Sequence, residues 1–157
     1  MAASARTGNR RRTREIRIAQ PQLAREVGGA AVERWATTVL DGEQAGPIAL
    51  SITFLSEQAM RELNDSEFGR DRPTDVIAFR LEHVHQLVGD VYLCPVVARR
   101  SARAAQVSVR EELLRLVVHG VLHVLGHEHP EDASRTALPM WTLQERYVTQ
   151  LAKKRSR

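Results

Sequence analysis

The stretch from Ser108 to Gly126 constrains this chain more than any other part of it. Ser108 and Glu111 form an S-x-x-E capping box, which opens a helix by satisfying its free backbone donors. Gly126 stands where a left-handed C-terminal cap would close that helix. Between them, apolar residues occupy nearly every side, so the helix has to be buried rather than laid on the surface. It also carries Arg115, His119 and His123. Those three interrupt the apolar run from Leu113 to Leu125, which therefore does not read as a membrane span.

Around this helix the sequence predicts an α+β fold, a small sheet of about four strands covered by helices. Glu15-Ile16-Arg17-Ile18 alternates as a strand does. Pro21 opens a helical stretch to about Leu40, with Leu23, Val27, Val32, Trp35 and Val39 as its apolar positions. After the turn signals Asp41-Gly42 and Gly46-Pro47, Ile48 to Phe54 reads as a strand rich in β-branched and aromatic residues. Ser56 caps a short helix through Leu63, and a polar loop follows from Asn64 to Thr74. Val76 to Phe79 and Leu87 to Cys94 supply two more strands, and Pro95 to about Gln106 a helix. A last helical segment runs from about Glu131 to Lys153, bent at Pro139.

The chain has 157 residues, enough for one domain with a real core. Residues 1–13 read as a flexible basic tail, 14–152 as a single domain, and 153–157 as a second basic tail. The formal charge is +4, and Lys153 and Lys154 are the only lysines among 23 basic residues. Such arginine dominance fits either a compositional bias or phosphate recognition, because the guanidinium fork matches phosphate oxygens. A polyanion is thus a more natural partner than a basic surface. Cys94 is the only cysteine, so neither a disulfide within the chain nor a cysteine-based zinc cluster is expected, as suits a reducing cytoplasm. No apolar stretch of signal-peptide length follows the basic N-terminus. Aromatic residues make up 4% of the chain, and no stacking platform for bases is evident.

The chemistry concentrates in His119 to His129. His119 and His123 are four apart and share one helix face, with Cβ atoms about 5–6 Å apart. Two imidazole nitrogens on one zinc ion lie roughly 3.3 Å apart, a separation those rings can reach. Gly126 lets the chain turn so that His129 returns from the following loop toward the same ion. Two neighbouring imidazoles buried without partners would cost several kcal/mol, which a metal removes. Three protein ligands leave a fourth position for water, the pattern of a catalytic zinc site. His127 is out of phase with the trio and is expected near the site or exposed. Glu128 could orient a ligand or accept a proton, or be an ordinary solvated acid beside Glu131 and Asp132. The spacing H-x-x-x-H-x-x-G-x-x-H is shared with metzincin peptidases, but Gly120 stands where those enzymes need a glutamate base.

The motif His119-Gly120-Val121-Leu122-His123-Val124-Leu125-Gly126-His127-Glu128-His129 resembles that of the YbeY family, bacterial endoribonucleases of rRNA maturation. Glu128 replaces the family's usual Asp. Leu63-Asn64 with Gly69 to Val76, then Gly89-Asp90-Val91, then Met140-Trp141 with Glu145, are similar to further family blocks in the same order. The resemblance runs from about Ile16 to Leu151. It differs just before the loop glycine, where many members carry an arginine and this chain has Phe68.

This resemblance implies a zinc-dependent endoribonuclease specific for single strands. It would act in maturation of the 16S rRNA 3′ end and in ribosome quality control, with rRNA and the small ribosomal subunit as partners. His119, His123 and His129 would bind one Zn2+, and Glu128 is the candidate catalytic residue, as the proton acceptor its place beside His129 allows. Arg70, Arg72 and Arg115 are the candidates for holding phosphate, each with a plainer alternative: a solvated loop for the first two, an ion pair with Glu111 or Glu112 for the third. Two other classes remain open, a non-catalytic zinc-containing ribosome-assembly factor and a peptidase.

Overall fold

The computed structural model describes residues 13–129 and 139–154. The alternating stretch near the N-terminus forms β1 (Arg14–Ala19), and the β-branched run after Gly46-Pro47 forms β2 (Ile48–Phe54). Strands β3 (Val76–Glu82) and β4 (Leu87–Leu93) make a hairpin. The sheet order is β1-β2-β4-β3, with β1, β2 and β4 parallel and β3 antiparallel at one edge. Ile48, Leu50, Ile52 and Phe54 of β2 alternate onto one buried face, and Val91 and Leu93 of β4 join them.

Five helices complete the described residues: α1 (Gly29–Gly42), α2 (Glu57–Phe68), α3 (Pro95–Ala105), α4 (Val109–Val124) and α5 (Pro139–Lys153). The single helix expected from Pro21 to Leu40 is broken. Pro21–Leu23 is one 3-10 turn, and α1 begins only at Gly29 after Gly28 in extended conformation. Adjacent glycines cost about 1 kcal/mol each inside a helix relative to alanine, so the chain places them at its start instead. Helix α2 runs one turn beyond the expected Leu63. Its stop is Gly69, left-handed at φ 66°, whose N–H reaches the Asp65 carbonyl at 2.8 Å. Asn64, expected in a loop, is therefore a buried helical residue, and its Nδ2 donates to the Arg72 carbonyl at 2.8 Å. The start of the last helix, expected near Glu131, lies outside the described residues, as do 1–12 and 155–157 of the two tails.

Helix α4 is the centre of the molecule. It contacts α1, α3 and α5 on its flanks and β3 and β4 beneath it. Leu113, Leu114, Leu116, Val117, Val118, Val121, Leu122 and Val124 are all buried, each burial contributing about 1.5–3 kcal/mol for the larger side chains. Its close seat on the sheet depends on two glycines. A Cβ at Gly120 would stand 2.5 Å from Val91 Cγ1, and one at Gly89 would collide with Val124. The capping box is half formed: Ser108 Oγ accepts from the Glu111 N–H at 3.1 Å, while the Glu111 carboxylate accepts from Arg115. At the other end, Arg80 from β3 donates to the Val124 carbonyl at 3.2 Å, closing the helix from outside. Helix α2 covers the opposite sheet face near β3, where Met60, Ile77 and Cys94 form a small second core.

Candidate metal centre

His119 and His123 project from the last turns of α4, four residues apart and partly buried, into the cavity that β3 also lines. Gly126, at φ 96°, reverses the chain, a conformation that favours glycine, and its Cα lies close against the Arg80 guanidinium. Three residues later His129 comes back to the same place. One nitrogen from each of His119, His123 and His129 lies within 4.8 Å of the other two. The Nε2 atoms of His119 and His129 are 3.3 Å apart, the separation of two ligands on one zinc. Among the described residues no other group of His, Cys, Asp or Glu converges in this way. The donor set therefore fits a single divalent ion of the zinc type.

The imidazoles are oriented from behind. His119 Nδ1 donates to Gln144 Oε1 at 2.7 Å, which leaves Nε2 to face the other two rings. Gln144 is 2% exposed and belongs to α5. Its amide donates in turn to Glu145 Oε1 at 3.3 Å, and Glu145 accepts from Arg115 Nε at 2.7 Å and Nη2 at 3.2 Å. Burial pushes the Glu145 carboxyl up, but bonds from Arg115 and Gln144 outweigh it and hold the group below its ordinary value. Burial, followed by the nearby charges of His119 and His129, lowers His123 to about 4, so its ring is held neutral as a ligand must be.

His127 turns away from the trio. Its Nε2 lies 3.0 Å from one Glu43 oxygen, and the other Glu43 oxygen accepts from Tyr147 O–H at 2.7 Å. The loop carrying His129 is thereby tied to the end of α1 and to the middle of α5. Burial, together with Glu43, raises Tyr147 to about 12.

The trio opens onto a cavity of about 820 Å³, bounded by α4, α5, β3 and the loop after α2. Arg70, Arg72 and Arg115 all line it. Arg70 and Arg72 are exposed on the loop. Arg115 is engaged by three carboxylates, those of Glu111 at 3.0 Å, Glu112 at 3.4 Å and Glu145 at 2.7 Å, so the ion-pair alternative weighed for it is present. Glu128 is exposed and does not line the cavity, whereas Asp75 and Glu112 do. Burial raises Glu112 above the ordinary carboxylate value, and the Asp75 charge adds to the shift against the opposing pull of Arg115.

The sequence reading did not foresee Gln144 behind His119, nor Asp75, Glu112 and Phe68 as parts of the cavity wall. For Gln144 a signal existed. It is the one polar residue in the stripe Met140, Gln144, Tyr147, Val148 and Leu151, at helical spacing. A buried amide in such a stripe needs a partner.

Residues 17–152 match the family model described as Endoribonuclease YbeY. Proteins named Endoribonuclease YbeY are similar along most of their length. The one from Frankia alni is 35% identical over 146 residues, covering 83% of this chain and 79% of that protein. The one from Sulfurihydrogenibium sp. is 30% identical over 147 residues, covering 91% and 96%. The Thermotoga maritima protein is 33% identical over 109 residues, covering 69% and 71%. The solution structure of TM1509 from Thermotoga maritima superimposes with a TM-score of 0.63 at 29% identity, over 90% of this chain and 92% of that one. Fold and sequence agree, and the chain belongs to the YbeY endoribonuclease family.

Proposed function

We propose that this protein is a zinc-dependent endoribonuclease that cleaves single-stranded RNA, with His119, His123 and His129 holding one Zn2+. The observation that carries the reading is the convergence of three imidazole nitrogens at the wall of an arginine-lined cavity, in a chain of this family. A bound divalent ion would supply Lewis acidity toward a phosphoryl group. The chain's own residues supply the rest. Arg70 and Arg72 offer guanidinium forks to the phosphate and offset charge that develops on it. Arg115 reaches phosphate only by exchanging part of its carboxylate cluster, so its first effect is on Glu145 and, through Gln144, on His119.

For the proton acceptor two carboxylates compete. Glu128 is the candidate by its place beside His129. Glu112 is the rival, since it lines the cavity and its raised pKa makes it a better base near neutral pH. Glu128→Gln and Glu112→Gln separate them: the variant that loses the acidic limb of the pH–rate profile, where a base is protonated, identifies the acceptor.

The family supports a wider assignment: residues 14–152 as one metal-dependent domain between basic tails, acting in the cytoplasm on the 16S rRNA 3′ end and in ribosome quality control. Contact with the small ribosomal subunit, strengthened in low salt by the arginines, belongs to the same proposal. No described helix is long and apolar enough to cross a membrane. The deciding experiment is cleavage of single-stranded and duplex rRNA fragments by purified protein of measured zinc content. His119→Ala and His123→Ala are expected to abolish cleavage, and folded variants that cut at the wild-type rate would sink the reading.

A second reading, a non-catalytic zinc-containing assembly factor, is favoured by Phe68 at the family's arginine position. Bound zinc and small-subunit binding without cleavage would establish it. Peptidase chemistry has less support than before. The position that would need a glutamate is Gly120, which faces Val91 and the sheet rather than the cavity.

A further inference from the structure

Phe68 is the last residue of α2 and one of the few large apolar side chains exposed among the described residues, at 51%. Its position is not that of a loose surface residue. One side of its ring lies against Phe79 of β3, with centroids 6.2 Å apart and planes within 6° of parallel. Phe79 is held edge-on by Tyr92 of β4 at 6.1 Å. The three rings form a contiguous aromatic cluster rooted in the sheet, and Phe68 brings it to the wall of the cavity that contains the histidine trio. Trp141 of α5 lines the same cavity.

The backbone behind Phe68 is equally fixed. Gly69 ends α2 in the left-handed conformation, Asn64 holds the Arg72 carbonyl, and Arg61 makes a two-pronged ion pair with Asp71 at 2.7 and 3.0 Å. The ring's direction is thus set before any ligand arrives, which removes most of the ordering cost of a contact to it. Arg70 and Arg72 follow within four residues on the same rim. An aromatic face beside guanidinium groups is the pairing that binds a base and its backbone together.

We infer that Phe68 is a stacking platform for one unpaired nucleobase of the RNA, which would lie on the ring that Phe79 backs, while Arg70 and Arg72 hold the neighbouring phosphates. This rests on the reading of the cavity as an RNA site and deepens it. A base can lie on Phe68 only when it is out of a duplex, because paired bases already stack on both faces. The platform therefore supplies a physical basis for preferring single strands, and an aromatic stands where the family commonly uses an arginine.

The test is binding rather than cleavage. Fluorescence anisotropy of the zinc-loaded full chain is measured with a labelled short single-stranded oligoribonucleotide and with an abasic ribose-phosphate oligomer of equal length. Phe68→Ala is expected to weaken RNA binding by roughly tenfold, the range of one lost base stack, and to leave the abasic oligomer unaffected. Phe68→Tyr is expected to retain binding to both. Arg70→Ala is expected to weaken both alike. Equal losses on the two oligomers for Phe68→Ala, or no loss on either, would overturn the platform. Wild-type protein that binds RNA through Phe68 but does not cut it would refute the nuclease reading and leave the platform standing.

Discussion

Gln144 accepts a hydrogen bond from His119 Nδ1 at 2.7 Å while 2% exposed, so the orientation of a candidate metal ligand rests on a residue of another helix. Gln144→Ala removes that acceptor and frees the ring to turn. We expect zinc affinity to fall about 10- to 100-fold with the fold retained, measured by competition against a fluorescent chelator. Gln144→Glu, which keeps an acceptor, is expected to recover most of the loss. His123 makes a separate prediction. Its pKa is about 4 when folded, against an ordinary value of 6.5, so the unfolded chain takes up the proton first as pH falls. The neutral, buried form therefore contributes stability that is complete above pH 6.5 and declines toward pH 4. Urea midpoints of chelator-treated protein should fall across that window, and a flat profile would remove desolvation of His123 as a cause.

At the scale of elements, α4 shows a local signal with a tertiary purpose. Ser108, Glu111 and Gly126 mark its ends in the sequence, and the helix forms between them. Its depth on the sheet depends on Gly120 and Gly89, whose partners Val91 and Val124 come from the opposite element. Gly120→Ala is expected to cost about 1–3 kcal/mol through overpacking despite the better helix propensity of alanine. A lower urea midpoint at unchanged slope is the readout. Ser108→Ala should cost about 1 kcal/mol by loss of the cap and leave zinc binding alone, which separates helix strength from helix seating. The elements misread from sequence fail for related reasons. Gly28-Gly29 breaks what the apolar spacing from Leu23 to Val39 would join. Asn64 extends α2 because its amide has a partner eight residues ahead, at the Arg72 carbonyl, which no local pattern displays.

For the whole molecule, the candidate metal centre sits where three separately specified parts meet: α4, the loop after Gly126, and α5. The apolar core beneath it is complete without an ion, since α4 is buried against α1, α3 and the sheet. Removing the metal should therefore leave far-UV dichroism nearly unchanged while lowering stability. With free zinc near one hundred times its Kd, the linkage is worth about 2.7 kcal/mol, a fall in Tm of roughly 5–10 °C on chelation. A chelated protein that unfolds outright would show that the ion, rather than the core, holds the fold. The Glu43 bridge from His127 to Tyr147 works at the same scale, because it ties the loop of His129 to two helices far apart in sequence.

The sequence by itself determined the three imidazoles, their helical phase, the glycine that returns the third, and the α+β class, because each depends on residues within a few positions of one another. It displayed the arginines of the cavity and, for Arg115, the helical partners Glu111 and Glu112. Only the tertiary structure decided that Glu145 of α5 joins them on Arg115, that Gln144 from α5 orients His119, and that Phe68 is stacked on Phe79 at the wall of the candidate metal site. Those pairings join residues from separate elements, so their geometry comes from how the elements pack, which periodicity and spacing along the chain do not encode.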